Sequence, residues 1–552
     1  MDANPPVQPG RMVVKEVGGA GLFARQSTGL VREVSPLSTY IFNVIAGIPT
    51  IVLAISIFWT LGAFPGANLY IAYWLAFVAA AVIALGIGLV SSTMPRTGGD
   101  YILVSRIIHP AVGLISSFCE TAGVVLSIAF WGLGAATVAT GPALISIGLI
   151  ANSPTLISWG NTVESSHWWQ FAIGIAVFLL SAFVVSGGWR RYLRFQNGAF
   201  LLVGIGLLLT AITLIVAGGD SFISHFNTIS RPITQQPDTY HNLIAAAQKG
   251  GIDTHPGFSL DNTWPAVGAV MGFLVYNWFS IFIAGEVRRA NTWQIPLMMV
   301  ASALTITVIL TVFTWIFFNA FGGDFFTAAN ALSGSSDYPF AAPPYYVFLT
   351  SIASGSIVLA LLLWIAFAIS FPMITYNNFM QPVRTLFAYA FDGILPMRVS
   401  YVSKRHAPTV ALAVVFILNA AVLAWAIFGG SGFFTVFAVA ILFSIVPITL
   451  LGVVAVVLPY RRPDAWRASA TTRKVAGIPL LSIAGAGTVI ASAFDWFFFL
   501  HYPGLGVTNR GAFLISFAVL ATLAVAFYFG ARFVRARQGM DLTRTYAEIP
   551  PE

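Results

Sequence analysis

About a dozen times along this 552-residue chain, twenty or more residues pass with almost no charge, and that repetition leaves few folds open. A helix needs about 20 mostly apolar residues to cross the hydrocarbon core of a bilayer. The runs fall at 39–62, 67–93, 111–139, 168–188, 195–217, 265–285, 296–320, 346–380, 408–428, 433–459, 476–499 and 511–533. They are continuously apolar, whereas membrane β-strands alternate, so a β-barrel is excluded. The run at 346–380 is long for one crossing and is expected to tilt or to continue past the bilayer. Only 8% of the residues are charged, against about 25% in ordinary soluble chains. Such a composition excludes a soluble enzyme, a nucleic-acid-binding protein and a disordered scaffold. The chain reads as an all-α integral membrane protein of about 12 transmembrane helices.

Charge placement gives the orientation. Of 27 Lys and Arg, 24 fall in the N-terminal segment, alternate connections and the C-terminal tail, leaving Arg231, Lys249 and Arg510 on the other side. By the positive-inside rule both termini are cytoplasmic. The expected organisation is a cytoplasmic segment 1–38, a single transmembrane domain 39–535 and a cytoplasmic tail 536–552. The formal charge of +8 is then a topology signal, with anionic headgroups as neighbours and no nucleic acid. Residues 1–38 are polar and broken by Pro5, Pro6, Gly18, Gly19 and Pro36, so no signal peptide is expected. Cys119 is the only cysteine, which allows no internal disulfide. The short connection from Val287 to Ile295 argues against two six-helix halves. The long outside loops, 141–167 and 218–264, carry no evident domain of their own.

Irregular backbone at membrane depth survives only where it lines a cavity or is buried in protein. The first run contains Ala46-Gly47-Ile48-Pro49-Thr50. Proline lacks an amide donor and clashes with the preceding turn, which predicts a break just before Pro49. The half-helix beginning there presents the amides of Thr50 and Ile51, and such a terminus suits a carboxylate. Five runs later come Gly268, Gly272 and then Val275-Tyr276-Asn277-Trp278. Paired interruptions at this offset mark the binding site of transporters built from inverted repeats. The alternative is that each is an ordinary kink or small-residue packing contact.

Three stretches resemble the amino acid–polyamine–organocation superfamily of permeases. Pro95-Arg96-Thr97-Gly98-Gly99-Asp100-Tyr101, followed by His109-Pro110, is similar to its signature after helix two. Gly285-Glu286-Val287, running to Ile295-Pro296, is similar to its helix-six end. Arg384-Thr385-Leu386-Phe387-Ala388 with Asp392-Gly393-Ile394-Leu395-Pro396 is similar to its motif after helix eight. The resemblance covers about residues 32–535 and implies a leucine-transporter-like fold. That fold has inverted five-helix repeats with broken helices 1 and 6, plus two additional helices. It implies a substrate site lined by Ala46, Gly47, Ile48, Thr50 and Ile51 on helix 1, whose amides meet a carboxylate. Carbonyls around Val275, Tyr276 and Asn277 would meet an ammonium. The chain departs from the family in two places. Pro49 offers no amide where a Gly-x-Gly pattern is usual, and the Thr50 hydroxyl is the available replacement. Trp278 stands where a small residue is common, narrowing the cavity or supplying a gate. Arg96, Asp100, Glu286, Arg384 and Asp392 are candidates for a cytoplasmic gate, or equally for plain loop architecture: Gly98-Gly99 permits a sharp turn and Asp100 caps a short helix.

Ionisable groups at bilayer depth are functional candidates by default. Glu120, about ten residues into the third run, suits a group that binds and releases a proton; the alternative is a neutral carboxyl that glues helices. Asp495, beside Trp496, reads as interfacial. Among Lys and Arg only Arg532, at the end of the last run, lies inside one, and the helix-five lysine that some family members use for coupling is absent, with only Gln196 and Asn197 at the start of that run. A sodium site between helices 1 and 8 would draw on carbonyls near Ala46 and on Ser370, so H+ and Na+ both stay open as coupling ions. No metal-ligand spacing, cofactor motif or P-loop is present.

The expected function is a secondary active transporter, moving amino acids or related amines across the plasma membrane by alternating access. It is ion-coupled or exchanging, with a small-molecule substrate, the lipid bilayer as its surroundings, and a monomer or homodimer as its state. One alternative keeps the fold and moves polyamines or nucleobase-like solutes. The other is a non-transporting sensor or an enzyme, which would need paired carboxylates, a metal cluster or a nucleophile at depth.

Overall fold

The computed structural model describes residues 32–430, 433–507 and 509–547. Most of the predicted N-terminal segment and the last five residues of the tail lie outside the described residues. Among the described residues, twelve helices are long and apolar enough to cross a membrane, from Pro36–Ala63 to Arg510–Arg537. Their order follows the twelve runs. In the first and sixth (Leu260–Glu286), 94% and 100% of the apolar window is buried, against 17% in the twelfth. The two interrupted helices therefore sit at the centre of the bundle, and the twelfth lies at its edge.

Three boundaries differ from the sequence reading. The third span runs over Pro110–Ile150, beyond the expected end at 139. A stretch of π-helix at Ala135–Thr140 carries the chain into Gly141-Pro142, and the extra residue per turn makes room for the proline ring. The run at 346–380 is two elements: a short helix, Tyr346–Ser354, closed by Gly355 at φ +57°, and the eighth span, Ile357–Phe391. The outside loops fold into helices, Pro154–Ser165 in one, Asp220–Thr234 and Thr239–Lys249 in the other. Phe222, Phe226, Tyr240 and Phe325 hold the second of these against the bundle through aromatic contacts, Tyr240 stacking on Phe325 at 4.5 Å between centroids.

The repeats show in what recurs five spans apart. The first and sixth spans are broken, and the third and eighth are the longest at 41 and 35 residues. A short buried helix, Gly99–Ile107, joins spans two and three at the end of the bundle that carries the arginine-rich connections, the basic face. Its counterpart Tyr346–Ser354 joins spans seven and eight at the opposite face. That is the arrangement of inverted repeats.

Candidate functional site

Gly47 and Pro49 end one helix and start another. The first span is two helices, Pro36–Ala46 and Pro49–Ala63, with Gly47 and Ile48 between them. Ile48 stands at φ +40°, ψ +72°. A β-branched side chain with positive φ costs of order 1–3 kcal/mol and persists only where its surroundings enforce it. Gly47 and Ile48 give their amides to the Asn43 and Ile45 carbonyls, at 3.3 and 3.0 Å. That leaves Thr50 and Ile51 as the amides opening the second half, where a helix has no internal acceptor for them. The Thr50 hydroxyl lies 2.8 Å from that of Ser370, tying the break to the eighth span.

The sixth span loses its α-helix at Leu274 and continues as 3₁₀-helix through Val275–Glu286. Twelve residues is long for a form that rarely exceeds three or four, and such stretches mark hinges. Asparagines pin the irregular backbone. Asn43 Oδ1 accepts from the Ser280 amide at 3.1 Å, crossing from the first break to the sixth. Asn277 Oδ1 accepts from the Ser302 hydroxyl at 3.2 Å and faces Gly47, where an added Cβ would lie 3.1 Å from it. Asn377 donates to the Phe42 carbonyl at 2.8 Å from the eighth span. Asn43, Ser280 and Asn377 were missed in the sequence; their signal is a polar amide or hydroxyl inside an apolar run. Tyr276 and Trp278 are buried, and Trp278 packs on Phe279 and Phe282 at 5.6 and 5.3 Å. Gly47 thus faces Asn277, Ala46, Ile48, Thr50 and Ile51 are buried on either side of the break, Val275, Tyr276 and Trp278 are buried in the sixth span, and Ser370 joins the first break through Thr50.

Below this centre, towards the basic face, lie two buried ion pairs. Arg384 donates through Nε and Nη2 to Glu286 at 2.8 and 2.9 Å, and Trp189 Nε1 donates to the same carboxylate at 2.7 Å. Val34 pairs with Val287 as a single parallel bridge over that ion pair. Arg106 donates to both oxygens of Asp392 at 2.7 and 2.6 Å, and the Tyr101 hydroxyl donates to Asp392 at 2.7 Å. Both pairs have side chains at most 4% exposed. Glu286 and Arg384 therefore form one buried ion pair, and Asp392, eight residues or about 12 Å further along the helix from Arg384, belongs to a second. Arg106 completes it, a partner that its place in the signature gave no reason to single out. Arg96, at the same face, donates to the Pro95 carbonyl at 3.0 Å. Asp100 sits in the first turn of Gly99–Ile107, where Gly98 at φ +109° occupies the cap position expected for it. Its carboxyl accepts from Ser116 at 2.6 Å, and burial, only partly offset by that bond, raises it to about 7. Gly98-Gly99 makes the predicted sharp turn against the sixth span: a Cβ on Gly99 would lie 2.3 Å from the Phe282 ring. A cavity of about 600 Å³ also opens at this face, lined by Ile394, Phe527 and Arg535, and includes none of the helix-break residues.

Glu120 faces the tenth span. Gly123, one turn on, would place a Cβ 2.6 Å from Ser444 Oγ, so the third and tenth spans nearly touch here. Glu120 is fully buried, Ser444 lies beside it without hydrogen-bond geometry, and neither carboxyl oxygen has a partner. Asp495, expected at the interface, is 1% exposed with both oxygens likewise unpartnered. The eleventh span turns that face into the bundle.

The profile of the amino acid permease family matches residues 36–527. The chain belongs to the amino acid permease family. Membership places it in the amino acid–polyamine–organocation superfamily, as the three motifs suggested, and makes it a multi-pass membrane transporter acting on a small molecule. No match is found among curated proteins. The permease motifs map onto the geometry directly: the first forms the Gly98-Gly99 turn, the second supplies Glu286, and the third supplies Arg384 and Asp392.

Proposed function

We propose that this permease carries amino acids or related amines across the plasma membrane by alternating access, with protons as the coupling ion and both termini in the cytoplasm. The observation that carries the reading is the meeting of the two helix breaks at the bundle centre, with the Thr50 and Ile51 amides opening one half-helix and the 3₁₀ stretch from Val275 facing it. Amides at a helix start suit a carboxylate, and turned-out carbonyls suit an ammonium. The buried ion pairs Glu286–Arg384 and Arg106–Asp392 support a gate at the basic face, held closed by both. Glu120 supports proton coupling because a buried carboxylate with neither donor nor cation is costly, and binding a proton removes the cost. A sodium reading would draw on the first and eighth spans, where the Thr50 and Ser370 hydroxyl oxygens lie 2.8 Å apart and keep lone pairs for a cation.

The Ile48 amide, spent on Ile45, gives weight to a second reading in which the solute lacks an α-carboxylate and is a polyamine or nucleobase-like compound. Counterflow in proteoliposomes, with a labelled amino-acid mixture and unlabelled competitors of each class, separates the two. Competition by α-amino acids is expected. In the same assay Gly47→Leu, whose Cβ would already lie 2.3 Å from Ile306 Cδ1, is expected to lose binding while still inserting into the membrane. Unchanged affinity in that variant would move the cavity away from the first break.

A further inference from the structure

Asp495 and Glu120 lie on different helices, yet the charge of each acts on Tyr276. On the sixth span, a Cβ at Gly268 would lie 2.5 Å from Phe498, and one at Gly272 would lie 2.9 Å from Phe499. Asp495 precedes these two phenylalanines by three and four residues, on the same helical face and one turn nearer the basic face. Tyr276 follows Gly272 by one turn in the same direction, so both side chains lie on the basic side of these contacts. Across the bundle, Ser127 and Glu120 share the face of the third span that meets the tenth at Gly123 and Ser444. Tyr276 accordingly has Glu120, Ser444, Ser127 and Asp495 as its polar neighbours. Every side-chain oxygen of these five residues is buried without a hydrogen-bond partner. Buried polar groups are almost always satisfied, so a cluster of orphans calls for an explanation.

Among the described residues no cation offers one, and the charged group that acts on Glu120 is Asp100, of like sign. From Thr435 to Pro459 the tenth span has no ionisable side chain, and the second span (Leu69–Thr93) has only Tyr70 and Tyr73. On the sixth span Asp261 is exposed and Glu286 is held by Arg384. On the eleventh span itself the nearest such group, His501, is exposed at the end.

We propose that Asp495 is a second proton-binding group, joined to Glu120 through the Tyr276 hydroxyl, so that a proton passes between the face opposite the arginines and the middle of the bundle. The inference rests on the proton-coupled reading above. Asp495 is six residues from the end of its helix at His501, or about 9 Å at 1.5 Å per residue, and Glu120 is ten residues, or about 15 Å, from the basic end at Pro110. The three groups are not hydrogen-bonded to one another in this conformation, so the transfer requires a movement of the interrupted sixth span that brings Tyr276 Oη onto both carboxyls; there the Asp495 Oδ–H bond breaks as Tyr276 Oη takes that proton. Tyr276 gives up its own proton to form the Glu120 Oε–H bond. One negative charge moves from Glu120 to Asp495, and nothing else is consumed.

The test compares wild type with Asp495→Asn, Asp495→Glu and Glu120→Gln. Infrared titration of the purified protein reads carboxyl protonation without any substrate; Asp495→Asn is expected to lose a protonated-carboxyl band that Glu120→Gln retains. In proteoliposomes, accumulation driven by a proton gradient is expected to fall to a ratio near one in Asp495→Asn, to return in part in Asp495→Glu, and the pH profile of uptake to flatten. If Asp495→Asn keeps the wild-type band pattern, accumulation and pH profile while Glu120→Gln does not, Asp495 is packing and the inference fails with the coupling reading intact. If Asp495→Asn raises the KM for amines without altering the pH profile, the carboxyl binds substrate and the inference fails. If the wild type shows no proton-driven accumulation, the coupling reading fails and takes the inference with it.

Discussion

Arg384→Met isolates the gate. The Glu286 carboxylate is 1% exposed and receives two donors from Arg384 and one from Trp189. Removing Arg384 leaves a buried carboxylate with a single neutral donor, and breaking such a pair from one side costs about 3–5 kcal/mol. The cost falls on the closed state, because opening the basic face exposes Glu286 to water. At about 1.4 kcal/mol per tenfold, the open population rises between roughly a hundredfold and a few thousandfold, until it saturates. The reporter is a cysteine at Val287, buried under the bridge to Val34, in a background where Cys119 is serine. Its reaction with a membrane-impermeant thiol reagent tracks the open population when opening is fast. The double variant Glu286→Gln/Arg384→Met has no stranded charge, and the introduced amide oxygen still accepts from Trp189, so its labelling is expected to stay within about tenfold of wild type. A single variant as protected as wild type, or a double variant labelled as fast as the single, would refute the reasoning.

Two further outcomes follow from the same face. Gly99→Ala puts a Cβ against the Phe282 ring at φ +54°, adding a left-handed penalty of roughly 1–2 kcal/mol to overpacking of about 1–3 kcal/mol, and thermal unfolding in detergent should show a loss well beyond that of Gly198→Ala, where the added Cβ meets nothing. Asp100 is raised to about 7 by burial, above its unfolded value near 3.8, so the folded state holds the proton more tightly. Its contribution to stability is complete below about pH 4 and is lost as pH rises through about 7, by up to roughly 4 kcal/mol. Asp100→Asn should therefore remove part of the destabilisation that wild type shows between about pH 4 and about pH 7; identical pH dependence in the two proteins would contradict this assignment.

The spans and the first break are legible in the sequence because their causes are local. Twenty apolar residues announce a crossing, and Gly47 with Pro49 encodes its interruption within three positions. The extent of the second break is not local. Nothing between Val275 and Glu286 forbids an α-helix; the 3₁₀ path is imposed by contacts such as the Asn43–Ser280 bond, 237 residues apart. The helix Tyr346–Ser354 merged with the eighth span because hydropathy continues through it, and only Gly355-Ser356 marked the corner. Asp495 was misread for a related reason. A neighbouring tryptophan signals an interface, whereas burial comes from packing against helices distant in sequence, where Gly86, Gly268, Gly272 and Gly452 allow close approach to the eleventh span. Arg106 illustrates the same limit, since its partner Asp392 is 286 residues away. Patterns repeated along one helix can be read from the chain, and partners brought together by packing cannot.

The most direct test of the account is uptake of a labelled amino-acid mixture into proteoliposomes under an inward proton gradient, without sodium, for wild type and Glu120→Gln. The account predicts accumulation in the wild type that a protonophore collapses, and none in the variant. Absence of accumulation in the wild type, or equal accumulation in both, would contradict it.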